Sequence, residues 1–217
     1  MKRLFSALFI ICTLSALTSC AQRTSQKDVA KNVDLSKYQK ATFASGCFWH
    51  EEALFESVKG VAEAISGYAG GTTANPDYES IESGNTGYAE TVQVYYDPSV
   101  ISYATLLKVY FEGQDPTSVN GQAPDFGTQY RSIAFYTNDA EKNEINNYIA
   151  QLKASKRFDK PIAVQVMPLK KFWVAEDYHQ NYVALNPNSG YVRNVSIPEI
   201  KKFQKEFPQL IKPGHFF

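Results

Sequence analysis

Apolar and polar positions change period several times along the chain, and each change marks an element. Ala41-Thr42-Phe43-Ala44-Ser45 is the short apolar run of a buried strand. From Phe48 the spacing turns helical: Phe48, Glu52, Phe55 and Lys59 recur together, and Ala53, Leu54 and Val58 fill an apolar stripe. Val61 to Ser66 reads as a strand, followed by a flexible stretch from Gly67 to Gly71, and Asn75-Pro76-Asp77-Tyr78 is turn chemistry. Tyr88 to Tyr96 alternates strictly. Ala89, Thr91, Gln93 and Tyr95 face one way; Glu90, Val92, Val94 and Tyr96 face the other, which turns Glu90 inward. Ser102 caps a helix reaching Gly113, and residues 115–130 are a Gly- and Pro-containing loop. Arg131 to Tyr136 is a strand, Asn138 or Asp139 starts a helix to about Ser155, and Ile162 to Pro168 is another strand. Phe172 to Ala184 looks helical; beyond Asn186 the periodicity is weak apart from a short helix at Pro198 to Phe207. Strands and helices interleave without a Gly-rich phosphate-binding fingerprint. The expected class is therefore α+β: a two-layer sandwich of a mixed sheet with helices, long loops and an irregular C-terminal segment.

The N-terminus changes the picture. Met1-Lys2-Arg3 is basic, and Leu4 to Leu17 is apolar but short for a membrane span, as in a secretory signal. It ends in Leu17-Thr18-Ser19-Cys20, which looks like a bacterial lipobox. The expected organisation is a lipoprotein-type signal over 1–19, lipidated Cys20 with a polar tether over 20–40, and one catalytic domain over 41–217. The expected location is the bacterial cell envelope, lipid-anchored and facing outside the cytoplasm. Removing residues 1–19 takes away Lys2 and Arg3, leaving twenty basic residues against twenty-two acidic ones. No basic run points to nucleic acid.

Three cysteines are present: Cys12, Cys20 and Cys47. Cys12 leaves with the signal and Cys20 is lipidated, so Cys47 is the one thiol expected in the mature chain. An unpaired exported cysteine is a candidate reactive group. Cys47 stands at a strand-to-helix turn, in the first turn of the helix. There the free backbone N–H groups favour an anion and a lowered thiol pKa. The plain alternative is a small core cysteine. Inward-facing Glu90 is expected to be buried with a raised pKa, and so able to donate a proton. Tyr68, Tyr78 and Tyr130 sit in loops beside Asp115 and Asp125. Two other functions fit parts of this pattern: an exported Cys-His peptidase using Cys47 and His179, and a non-catalytic lipoprotein whose tyrosines bind a ligand. Glu176 and His179 are three residues apart on a presumed helix, but no second such pair exists, so no metal site is expected.

Six motifs in order carry a resemblance. They are Gly46-Cys47-Phe48-Trp49 with Glu52; Gly67-Tyr68-Ala69-Gly70-Gly71; Asn75-Pro76-Asp77-Tyr78; Ser83-Gly84-Asn85-Thr86-Gly87-Tyr88-Ala89-Glu90; Pro124-Asp125-Phe126-Gly127-Thr128-Gln129-Tyr130-Arg131-Ser132; and Ala175-Glu176-Asp177-Tyr178-His179-Gln180. Over about Ala41 to Gln180 the chain resembles the type A peptide methionine sulfoxide reductases, specific for the S epimer. The resemblance implies that Cys47 attacks the sulfoxide sulfur. Phe48 and Trp49 receive the substrate methyl, Glu90 supplies the proton, Tyr78 and Tyr130 bind the oxygen, and Asp125 holds a water or the donor network. It also implies protein-bound or free methionine sulfoxide as substrate and no bound cofactor. The reductant would be an external thiol, thioredoxin-like or small. Resolving cysteines common in the family are absent from 81–84 and from 186–217, which looks like a single-cysteine variant. Tyr88 replaces a frequent histidine. His50 replaces a small residue and is expected to be a solvated helix-start residue.

Overall fold

The computed structural model describes residues 34–215 and Phe217; the signal, Cys20 and most of the tether lie outside the described residues. After a 3₁₀ turn at Leu35–Lys37, strand β1 covers Gln39–Ala44, so ordered structure begins ahead of Ala41. Then follow α1 (Phe48–Glu56), β2 (Val61–Ala69), α2 (Tyr78–Glu82), β3 (Ala89–Tyr96) and α3 (Tyr103–Glu112). Next come a hairpin of β4 (Gly121–Gln122) and β5 (Asp125–Phe126), β6 (Ile133–Tyr136), α4 (Asp139–Ala154), β7 (Gln165–Pro168) and β8 (Trp173–Val174). The chain closes with α5 (Tyr182–Leu185) and α6 (Ile197–Glu206).

Six strands form one sheet in the order β7-β6-β1-β3-β2-β8. β6 and β7 run parallel; the other neighbours are antiparallel, so the sheet is mixed as expected. Helices α1, α3 and α4 pack against its strands. The main core joins Phe43, Val92, Val94 and Tyr96 of the sheet to Phe55, Leu106, Tyr110 and Ile145 of the helices. β3 is buried on both faces: Ala44, Ala69, Ala89, Ile133 and Phe135 form a second cluster under Met167, Leu169 and Phe172. Alternation in β3 therefore separates two interiors rather than core from water.

Local chemistry explains most element starts. The Ser102 hydroxyl accepts from Thr105 N–H at 3.1 Å and opens α3. Asn138, not Asp139, caps α4: its Oδ1 accepts from Glu141 N–H at 2.9 Å, and the Glu141 carboxylate accepts from Thr137 N–H at 2.6 Å. Asp77 makes a capping box with Ser80, so the expected turn at 75–78 is the start of α2.

Three expectations are corrected. The stretch from Gly67 is not flexible; β2 continues through Ala69. A Cβ at Gly67 would stand 2.3 Å from the Trp173 carbonyl oxygen, so glycine here admits strand β8. Residues 172–184 are not one helix but β8, a 3₁₀ turn at Asp177–His179 and α5; edge pairing with β2 overrides the helical spacing. The C-terminal segment is more ordered than expected: a π turn at Val192–Ser196 runs directly into α6.

Candidate active site

The turn from β1 to α1 is made by Gly46 at φ +75°, a left-handed conformation that favours glycine. A Cβ there would stand 2.7 Å from the Gln122 Cβ. Its N–H donates to the Tyr130 carbonyl at 3.1 Å, which ties the loop before β6 to the nucleophile turn. Cys47 is the N-cap of α1 rather than a first-turn residue, and its side chain makes no cap hydrogen bond. The first free N–H of the helix, that of Phe48, donates to Glu90 Oε2 at 3.0 Å. Glu90 thus occupies the helix end where the thiol was expected to be stabilised.

Glu90 is 2 % exposed on β3, opposite Tyr68 of β2. Burial pushes its pKa up to about 8, against the lowering effect of the Phe48 N–H. A carboxyl in that state carries a proton at neutral pH. The thiol of Cys47 moves the opposite way from expectation. Burial, then the Glu90 charge, push it well above an ordinary thiol, and the Tyr191 hydroxyl and Trp49 N–H only partly oppose them. The helix end does not prevail because desolvation of the thiol outweighs it. Cys47 rests as a thiol.

Phe48 is buried, its ring 4.8 Å from His179 and 5.9 Å from Tyr68. Trp49 stacks on Tyr182 at 3.6 Å with the planes 9° apart, and Tyr191 meets its edge. The indole Nε1 donates to His179 Nδ1 at 3.0 Å. His179 is buried, and burial lowers its pKa, with Glu176 opposing. It is therefore neutral, with Nδ1 as acceptor and the proton on Nε2. A histidine whose lone pair is held by the indole is not free to act as base for Cys47. Glu176 in turn accepts from Tyr68 hydroxyl at 2.8 Å and from Tyr78 N–H at 2.9 Å. Trp49, His179, Glu176 and Tyr78 thus form one connected frame.

Tyr78 begins α2, and its ring lies 4.5 Å from His179. Tyr130 ends the 3₁₀ turn at Thr128–Tyr130, and its hydroxyl donates to Glu82 Oε1 at 3.1 Å. Burial raises both phenols above their ordinary value. Glu82 and Glu90 add to it at each, and Cys47 adds at Tyr78, so both stay protonated donors. Asp125 lies on β5 and accepts from the Tyr191 hydroxyl. Tyr191 also acts on Cys47, lowering the thiol's pKa against the larger effect of burial.

Tyr191 is the residue that sequence reasoning missed. It sits in the weakly periodic segment after Asn186 and no pattern there marks it. Tyr182 and the role of His179 as acceptor for Trp49 were likewise not visible. His50 is not a solvated residue: it is half-buried, its Nδ1 is shut off from water without a partner, and burial lowers its pKa. Tyr88 is a packing residue, 4 % exposed; its hydroxyl donates to the Thr73 carbonyl at 2.5 Å and accepts from Trp173 Nε1 at 3.1 Å. Among the described residues the free cysteine is Cys47.

The model of the peptide methionine sulfoxide reductase family matches residues 39–211, the whole of the sheet, its helices and the Cys47 turn. The chain belongs to this family. A peptide methionine sulfoxide reductase MsrA of Chromobacterium violaceum is 44% identical over 174 residues, spanning 80% of this chain and 99% of its own. One of Picrophilus torridus is 47% identical over 164 residues, 76% of this chain and 92% of its own. Among solved structures, methionine sulfoxide reductase A of Corynebacterium diphtheriae superposes with a TM-score of 0.64 at 31% identity, covering 71% of this chain and 77% of that one. Reduced Mxr1 of Saccharomyces cerevisiae does so at 0.64 and 34%, covering 70% and 88%. The chain is an oxidoreductase that reduces methionine sulfoxide; the peptidase and ligand-binding alternatives have no support among these relatives.

Proposed function

We propose that Cys47 reduces the S epimer of methionine sulfoxide, with Glu90 as proton donor and an external thiol as reductant. The observation that carries this reading is the buried, proton-holding Glu90 bound to the first N–H of the Cys47 helix. The substrate methyl sits against Phe48 and Trp49, whose apolar walls exclude water. The sulfoxide oxygen meets the hydroxyls of Tyr78 and Tyr130 and takes the Glu90 proton as negative charge develops on it. Tyr130 must exchange Glu82 for the substrate oxygen to do so. Tyr191, its hydroxyl held by Asp125, flanks Cys47. As the sulfur attacks, the S–H proton of Cys47 is released and restores the one Glu90 gave up; methionine leaves, and the oxygen remains on Cys47 as a sulfenic acid. Two equivalents of thiol, from a thioredoxin-like protein or a small molecule, return Cys47–SH and yield one disulfide and one water. No second cysteine of the mature chain takes part.

The lipobox-like Leu17-Thr18-Ser19-Cys20 supports a lipid anchor and a place in the cell envelope, outside the cytoplasm. Oxidised envelope proteins are then the natural substrates. To test the activity, the soluble domain is given each epimer of a methionine sulfoxide peptide with dithiothreitol. Loss of the S epimer alone is expected; no turnover of either epimer refutes the reading.

A further inference from the structure

Beside the two tyrosines stands a charge that the reaction itself does not use. Glu82 is the last residue of α2, the helix that Tyr78 begins, and it is exposed. Its Oε1 accepts from the Tyr130 hydroxyl at 3.1 Å. Its charge is felt by the other proton donors as well. It is the largest of the charges that raise Glu90 and, after burial, the largest cause at Tyr78. No cation of the chain offsets it locally. No Lys, Arg or His stands between Lys59 and Lys108 in the sequence. Arg131, next to Tyr130, spends its guanidinium on the carbonyls of Gly87, Tyr88 and Thr128 and on the Gln165 side chain. Among the described residues Glu82 enters no ion pair.

Binding of the sulfoxide takes the donor of Glu82 away. A phenol has one hydrogen to give, and in the reaction Tyr130 gives it to the sulfoxide oxygen. Glu82 is then a carboxylate that has lost its hydrogen bond, still beside the phenol that holds the substrate. Water can replace the lost bond, but a cationic N–H does so more strongly. The α-nitrogen of methionine sulfoxide is only a few bonds from the sulfur, which brings it towards the exposed side where Glu82 stands. We propose that Glu82 is a specificity-determining residue that selects methionine sulfoxide with a free α-ammonium over the same residue with its nitrogen in an amide. This rests on the reductase reading and on Tyr130 as donor to the sulfoxide oxygen, and adds the class of substrate. The ammonium belongs either to the free amino acid or to the first residue of a peptide. Glu82 pairs with it and takes no part in the transfer of oxygen.

Two substrates that differ only at the nitrogen test this: the S epimers of methionine sulfoxide amide, which carries the ammonium, and of its N-acetyl derivative, which does not. Each is given at pH 7 with dithiothreitol to the unsubstituted enzyme and to Glu82→Gln. Glutamine keeps an acceptor for Tyr130 and removes the charge. The quantity read is the ratio of kcat/KM for the ammonium substrate to that for the acetylated one. Any change that Glu82→Gln makes in the proton affinity of Glu90 acts on both substrates and cancels in the ratio. The ratio is expected to fall about 3- to 5-fold, the scale of an exposed charge pair. The fall lies in KM, because the ammonium is the same in ground and transition states. In the unsubstituted enzyme the ratio also falls as salt is added. Free methionine sulfoxide is a third substrate: a matching loss in Glu82→Gln makes the free amino acid a source of the ammonium, and a loss confined to the amide makes peptide N-termini the source. A ratio unchanged by the substitution, whether both rates fall or neither does, overturns the proposal and leaves Glu82 as an anchor for Tyr130. So does a ratio in the unsubstituted enzyme that ignores salt. Absence of turnover of every substrate by the unsubstituted enzyme would instead remove the reductase reading itself.

Discussion

At Cys47 two physical effects act in opposite directions. A helix N-terminus favours a thiolate, whereas enclosure next to a carboxyl favours a thiol. Enclosure wins: burial is the larger effect, Glu90 adds to it, and the Trp49 N–H and Tyr191 only partly oppose them, while the Phe48 N–H goes to Glu90. The proton that the reaction needs is thus stored one residue contact from the nucleophile. Glu90 titrates at about 8, holding its proton below that pH and losing it above. The single-turnover rate of methionine formation is therefore expected to fall as pH rises through about 8. Glu90→Gln lowers that rate by ~10²-fold or more and removes the fall, since general acids contribute about 10²–10⁴-fold. A rate-pH profile of both enzymes checks this; a fully active variant would exclude Glu90 as the acid. Glu90 was legible in the sequence because strand alternation placed it with Val92 and Val94. Tyr191 was not, because only folding brings it to Cys47 from far along the chain.

Helix α1 carries two more buried carboxyls. Glu51 accepts from Ser45 N–H at 3.1 Å and leaves Oε1 without a partner. Glu52 accepts from the Ser66 hydroxyl and the Asn181 N–H, tying α1 to β2 and to the start of α5. Burial pushes each up to about 8 from a usual 4.5. A folded-state pKa raised in this way gives stability that is complete below about 4.5 and is lost as pH rises through about 8. Stability from urea unfolding is therefore expected to drop between pH 5 and pH 9, and Glu51→Gln to reduce that drop. Parallel curves for the two proteins would show that Glu51 is not a source of it. Element starts were readable at Ser102 and, to within one residue, at Asn138, whereas the Asp77 capping box that opens α2 read only as a turn. The stretch at 172–184 was misread because short strand β8 exists only by pairing with Gly67 and Tyr68. No local pattern records that pairing.

For the whole molecule, the outstanding expectation concerns its place in the cell. Cys20→Ala is expected to move the protein from the membrane fraction to the soluble fraction while the methionine sulfoxide activity of the domain is retained. An unchanged membrane fraction would refute lipidation. The amino-acid order alone determined the α+β class, the Ser102 cap, the strand-to-helix turn at Gly46–Cys47, the inward face of Glu90 and the family. These depend on neighbours a few residues apart, or on motifs kept in a fixed order. Only the tertiary structure decided that the thiol is protonated, that His50 is enclosed and that Tyr191, held by Asp125, flanks Cys47. It alone decided that His179 is spent on Trp49. Each of these is set by desolvation or by contact between segments distant in sequence, and such energies have no counterpart in local spacing.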